Sequence, residues 1–160
     1  MKEKNVRLQV PDGFQLILGQ SHFIKTVEDL YEAIATSSPQ IKFGVAFCEA
    51  SGKALVRFDG SEEEAIGLAR DFAVSLGAGH AFVVVLKGAF PINVLNRIKA
   101  VEEVVTLFCA TSNSVTVLLA EEEGGRAVVG VVDGISPKGV EKEEDKVERR
   151  NLLRKIGYKR

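Results

Sequence analysis

Residues suited to chemistry fall at a few places in the chain. Cys48-Glu49-Ala50-Ser51 closes an apolar run, where a rigid strand end meets an accessible loop. There Glu49 is a candidate general base, and Cys48 a candidate nucleophile if its thiol pKa is depressed. The plain alternative is a small core thiol beside a solvent-facing carboxylate. Asp133-Gly134-Ile135-Ser136-Pro137-Lys138-Gly139 is the best anion loop. Its glycines let backbone amides face an anion, Lys138 adds charge, and a helix N-terminus follows. Asp133 suits a metal or a ribose hydroxyl; a connecting turn explains the same residues. Asn93 and Asn96 interrupt an apolar helix one turn apart, facing either a ligand or water.

Other patterns exclude more than they include. Gly52-Lys53 has the tail of a phosphate-binding loop, but Phe47 replaces the first glycine and Ala54 the magnesium-binding hydroxyl. A strand follows it rather than a helix, so a hairpin turn is the simpler account. No dinucleotide-binding glycine fingerprint occurs. Cys48, His80 and Cys109 lack zinc-site spacing, and no metal centre is expected from them. His80 suits a general base, a ligand or a hydrogen-bonded strand cap. Arg149 and Arg150 face water, a phosphate or an acidic neighbouring subunit.

The elements that must position these residues follow from periodicity. Val6, Leu8 and Val10 alternate, Pro11-Asp12-Gly13 turns, and residues 14–18 resume apolar character, which predicts an opening hairpin. Thr26 is placed to cap a helix carrying Val27, Leu30 and Ile34, with Asp29 at the capping-box position. Residues 42–50 and 54–58 predict a second hairpin. Ser61 and Glu64 form a capping box for a helix over 62–76, and Gly77 ends it. The Val-rich segment 80–86 predicts a strand buried on both faces. Pro91 opens the next helix, with Ile92, Leu95, Ile98 and Val101 as its apolar stripe. Three strands, 104–110, 115–120 and 126–132, precede a charged helix over 141–155. The order ββαββαβαβββα predicts one layered α/β or α+β domain over residues 1–160, a mixed β-sheet flanked by helices.

The chain has 160 residues, 46% hydrophobic and 27% charged, with a net charge of -1. That excludes a disordered chain and argues against a uniformly basic nucleic-acid binder. The total hides a partition. Residues 138–160 hold nine Lys/Arg against five Asp/Glu, and the rest of the chain holds twelve against seventeen. The basic end and acidic body are suited to pairing between subunits. Apolar runs such as 81–86 and 127–132 are far shorter than the ~18 residues of a membrane span. Residues 1–7 lack the apolar stretch of a signal peptide. Two unpatterned cysteines also suit a reducing compartment, so a cytoplasmic protein without membrane or nucleic-acid partners is expected.

Four segments carry a resemblance: KFGVAFCEASGKALVRFDG, AGHAFVVVLKGAFPINVLN, VVDGISPKGVE and DKVERRNLLRKIGYK. Together they resemble the adenosine-specific kinase family over nearly the whole chain. The resemblance implies an adenosine or AMP site and, from the family's name, phosphorylation of adenosine by ATP with Mg2+. It also implies a homo-oligomer, a trimer by likeness to family members. A nucleotide-binding protein without turnover is the alternative. A nucleoside pocket needs apolar walls, hydroxyl partners and phosphate partners. Phe47, Phe90 and Ile92 are then candidates for the walls, with Cys48 beside them. Asn93 or Asn96 would read a base or ribose edge, and Asp133 and Glu49 would meet ribose or magnesium. Gly134, Lys138 and Gly139 would meet phosphate.

Overall fold

The computed structural model describes residues 1–160. In chain order the elements are β1 (Lys2–Leu8), β2 (Phe14–Ser21), α1 (Thr26–Ala35), β3 (Lys42–Cys48) and β4 (Val56–Gly60). Then come α2 (Glu63–Leu76), β5 (Ala81–Lys87), a 3-10 turn (Pro91–Asn93) and α3 (Leu95–Lys99). The chain closes with β6 (Val104–Thr111), β7 (Val115–Glu122), β8 (Gly125–Asp133) and α4 (Glu143–Lys155). The layered α+β domain and its element order are those read from the sequence. The strands divide between a five-stranded sheet, β4-β3-β5-β2-β6, and a three-stranded sheet, β1-β7-β8. Every ladder is antiparallel, so two antiparallel sheets stand where one mixed sheet was expected.

The five-stranded sheet is apolar on both faces because its central strands are. In β5, Ala81, Val83 and Val85 enter one core, and Phe82, Val84 and Leu86 the other. β3 does the same, with Ala46 and Cys48 on one side and Phe43, Val45 and Phe47 on the other. The first core is closed by α2 (Ala65, Ala69, Phe72, Leu76) and by Leu8, Val115, Val117 and Leu119 of the small sheet. The second is closed by α1 (Leu30, Ile34) and Ile98 of α3. Each Val, Leu, Ile or Phe among them contributes about 1.5–3 kcal/mol when buried. The domain is therefore three layers deep, and only loops and strand ends remain for ligands.

Three local expectations are corrected. The opening strands do not pair with each other. β1 pairs with β7 and β2 with β5 and β6, so the Pro11 turn carries the chain from one sheet to the other. Both segments show strand periodicity, but which edge satisfies β1 depends on residues more than a hundred positions away. Thr26 begins α1 but does not cap it: Lys25 holds the cap position, and the Thr26 hydroxyl donates to Phe23 O and meets Ser21 Oγ. At α2 the cap is Glu62, whose carboxylate accepts from Ala65 N at 2.8 Å. Ser61 instead accepts from Phe43 N at 3.1 Å, fastening the helix to β3. No helix is long and apolar enough to cross a membrane.

Candidate functional site

One end of the five-stranded sheet gathers the ends of β2 and β3, the starts of β4, β5 and β6, and the N-terminus of α1. β3 and β4 place Phe47 opposite Arg57, so both side chains share the α1 face of the sheet. Glu49, two residues past Phe47, lies on that face too. Its carboxylate accepts from Arg57 Nη2 at 3.1 Å and from Leu55 N at 3.0 Å. The Leu55 amide first, and then Arg57, hold the Glu49 carboxyl below its ordinary pKa. Arg57 Nε is buried with no hydrogen-bond partner in the chain.

Lys25 sits at the start of α1 among carboxylates. It pairs with Asp29, with Glu103 at 3.1 Å and with Glu102 at 3.8 Å. The Glu103 side chain is 2% exposed, and the Lys25 contact compensates its burial. Hydrogen bonds to Asp29 and Glu103 raise the Lys25 pKa, and Lys25 in turn lowers that of Asp29. His80 opens β5 with φ 64°, a left-handed conformation uncommon outside glycine. Its amide donates to Cys48 O at 2.7 Å, its carbonyl accepts from Ser21 N at 3.0 Å, and its ring stacks on Phe47.

Two clefts open from this end. The first, about 440 Å³, is lined by Ile24, Lys25, Glu28, Arg57, Phe58 and Asp59. Ile24 is 47% exposed, leaving apolar surface beside two cations, while the Phe58 ring turns to the α2 face, beneath the Arg70 guanidinium. The N-terminal turn of α1 also borders this cleft, with the positive end of the helix dipole. The second cleft, about 350 Å³, lies on the α2 side of the hairpin. It is bounded by Glu49, Leu55, Gly79, Gly124, Gly125 and Arg126.

The residues singled out from sequence fall in separate places. Phe47, Cys48 and Glu49 stand together at the sheet end just described. Phe47 is buried in the second core. Cys48 faces the first core, where burial pushes its thiol up to about 11 and its Sγ donates to Ala73 O, which removes the nucleophile. Phe90, Asn93 and Asn96 lie past the other end of β5. Asn93 Oδ1 accepts from Phe90 N at 2.9 Å and caps its own turn, Asn96 is exposed, and Ile92 is 67% exposed. Asp133 ends β8 and is held by Thr111 at 2.8 Å and Asn113 at 3.1 Å. At about 3.3 Å per residue, β8 puts it roughly 26 Å from Gly125 at the second cleft. Gly134 lies against Asn113, and Lys138 and Gly139 are exposed on the link to α4. Glu49 and Asp133 are therefore not partners in one pocket, because β8 holds their two ends of the molecule apart.

The sequence reading missed Lys25, Arg57 and Glu103. A signal existed: each is a charge set in or beside an otherwise apolar segment, as in Val101-Glu102-Glu103-Val104-Val105. Such charges persist only when paired or when used.

A family model described as adenosine-specific kinase matches residues 6–159. The crystal structure of the PH1918 protein from Pyrococcus horikoshii OT3 is similar, with 46% sequence identity and a TM-score of 0.94. The match covers 99% of this chain and 98% of that one. No curated protein matches the chain.

Proposed function

Because the chain belongs to the adenosine-specific kinase family, we propose that it binds AMP in the cleft between α1 and β4 and phosphorylates adenosine with ATP. One observation carries the placement: Lys25 and Arg57 line one cleft together with half-exposed Ile24. A nucleoside phosphate asks for that combination, an apolar face for the base and cations for the phosphate. The buried, unpartnered Nε of Arg57 is a donor still wanting an acceptor. Glu28, on the α1 side of the cleft, suits the ribose hydroxyls.

Phosphoryl transfer is mostly positioning and charge stabilisation. Lys25 and Arg57 would orient the phosphate and balance its charge. Glu49 grips Arg57 and acts as a positioning residue rather than as the base first expected, since its oxygens already accept from Leu55 and Arg57. Mg2+, commonly held by one or two carboxylates plus substrate phosphates, would be held chiefly by the phosphates with Asp59 of the cleft, and would neutralise phosphate charge when bound. A binder without turnover is the second reading. It is favoured by the pairing of Glu49, Asp29 and Glu103 with cations, which leaves fewer carboxylates free to accept a proton.

A homo-oligomer in the cytoplasm belongs to the same proposal, a trimer by family likeness. It is supported by α4, which buries none of its residues against the rest of the chain and exposes Val147 and Leu152.

Incubation with adenosine and Mg-ATP, followed by chromatography for AMP and ADP, tests turnover. AMP at the enzyme-free level would favour the binder. Calorimetry tests the placement. Arg57→Ala is expected to weaken AMP at least about tenfold, the loss of one charge-assisted contact, and adenosine no more than about twofold. Equal losses for both ligands would remove Arg57 from the phosphate.

A further inference from the structure

We propose that the second cleft, on the α2 side of the β3–β4 hairpin, is a separate binding site for a neutral, nucleoside-sized ligand, coupled to the first cleft through Glu49. Only the coupling rests on the nucleotide reading of the first cleft.

The cleft measures about 350 Å³, within the range of small-molecule sites. Gly79, Gly124 and Gly125 line it without side chains, so a flat ring can lie directly against backbone. Leu55, 47% exposed, supplies an apolar wall. All three non-glycine residues of the chain with left-handed backbone are here: Ala54 (φ 50°) on the wall, Glu123 (φ 48°) beside Gly124, and His80 (φ 64°) beside Gly79. Strain of this kind concentrates where geometry serves a site.

Charge selects the ligand class. Arg126 is occupied by Glu121 at 2.7 Å and by Leu76 O at 3.0 Å, and Glu49 by Arg57. The hairpin tip beside the cleft adds Glu122 and Glu123. Against the exposed Lys53 of the hairpin turn, whose charge reaches Glu49, stand Glu49, Glu122 and Glu123, so a net anion would meet more like charges than counter-charges, whereas a neutral ligand would meet polar partners already balanced.

Glu49 joins the two sites. Its Oε2 accepts from Leu55 N, on one cleft, and from Arg57 Nη2, on the other. A phosphate that draws Arg57 away leaves Glu49 richer in acceptor capacity toward the second cleft. Occupation of either site should then strengthen the other, since coupling is reciprocal.

Calorimetry with adenosine and AMP as probes tests this on the full chain. Adenosine is expected to bind the AMP-saturated protein at one per chain, about fivefold tighter than without AMP. Gly125→Phe, whose added Cβ meets nothing closer than 3.5 Å, fills the cleft away from Glu49. It should lose at least tenfold in this AMP-saturated adenosine binding while AMP affinity stays within twofold. Ala50→Phe, at an exposed wall position, is the second variant if the first melts early. Glu49→Gln should retain adenosine binding and lose the AMP effect. Absence of adenosine binding to the AMP-saturated protein, or wild-type adenosine binding to it in both Phe variants, overturns the second site. Adenosine binding that both Phe variants lose, with no AMP binding in the wild type, upholds the site and overturns the first-cleft reading instead.

Discussion

At the residue scale, the charges at the end of the five-stranded sheet are arranged as pairs, and the pairing sets their behaviour with pH. Glu49 and Asp29 both have carboxyl pKa values below their ordinary ones, through the Leu55 amide and Arg57 in one case and Lys25 in the other. Each therefore binds its proton less readily folded than unfolded. The stability they contribute is complete above the ordinary carboxylate pKa and is lost as pH falls through the lowered folded value. Thermal melting of Glu49→Gln should show it. The gap in Tm between wild type and variant is expected to be widest near about pH 7 and to close toward about pH 3. A gap that stays constant with pH would mean that the ion pair is not what the variant removed. Cys48 illustrates the opposite influence. It stands one residue from this charged cluster, yet its side chain points into the first core, and desolvation holds the thiol protonated.

At the element scale, the position of α2 depends on a missing side chain. Gly44 lies in β3 where α2 crosses, and a Cβ there would meet Ala65 O at 2.3 Å and Ile66 Cα at 2.5 Å. Both are backbone, so neither can swing aside. Gly44→Ala is expected to destabilise by about 3 kcal/mol, the upper range for overpacking, read as a lower urea midpoint. An unchanged midpoint would show that α2 can lift from the sheet without penalty. Helix position matters for function because α2 ends at Leu76, whose carbonyl is gripped by Arg126 at 3.0 Å on the wall of the second cleft. The capping groups tell the same story. Ser61 is a good helix cap by type, yet it serves the β3 backbone because Glu62 reaches the Ala65 amide. Local sequence offers several adequate caps; packing selects among them.

For the whole molecule, the net charge of -1 is a basic end against an acidic body. The basic end is α4 and its flanks, which expose Val140, Val147, Leu152, Ile156 and Tyr158. Apolar side chains on an unpacked, charged helix suit a second copy of the acidic body. Light scattering of the full chain should give an oligomer whose mass falls as salt screens the charge pairing, and deletion of residues 141–160 should give a monomer. A monomeric full-length chain would refute the assembly.

Periodicity alone determined most of the elements, because a strand or helix that buries one face writes its period into neighbouring residues. The Val-rich β5, buried on both faces, and the β3–β4 hairpin with its Ser51–Lys53 turn were legible for that reason. The acidic body, the basic end and the family resemblance were legible too. Only the tertiary structure decided that β1 joins β7 rather than β2, and that Glu49 and Asp133 stand far apart. It also decided that Lys25, Arg57 and Glu103 share one sheet end. These are contacts between residues tens of positions apart, and nothing local encodes them. The residues flagged from sequence were good candidates by chemical type, but a site is a meeting of side chains. Which side chains meet is set by the order and register of strands across two sheets.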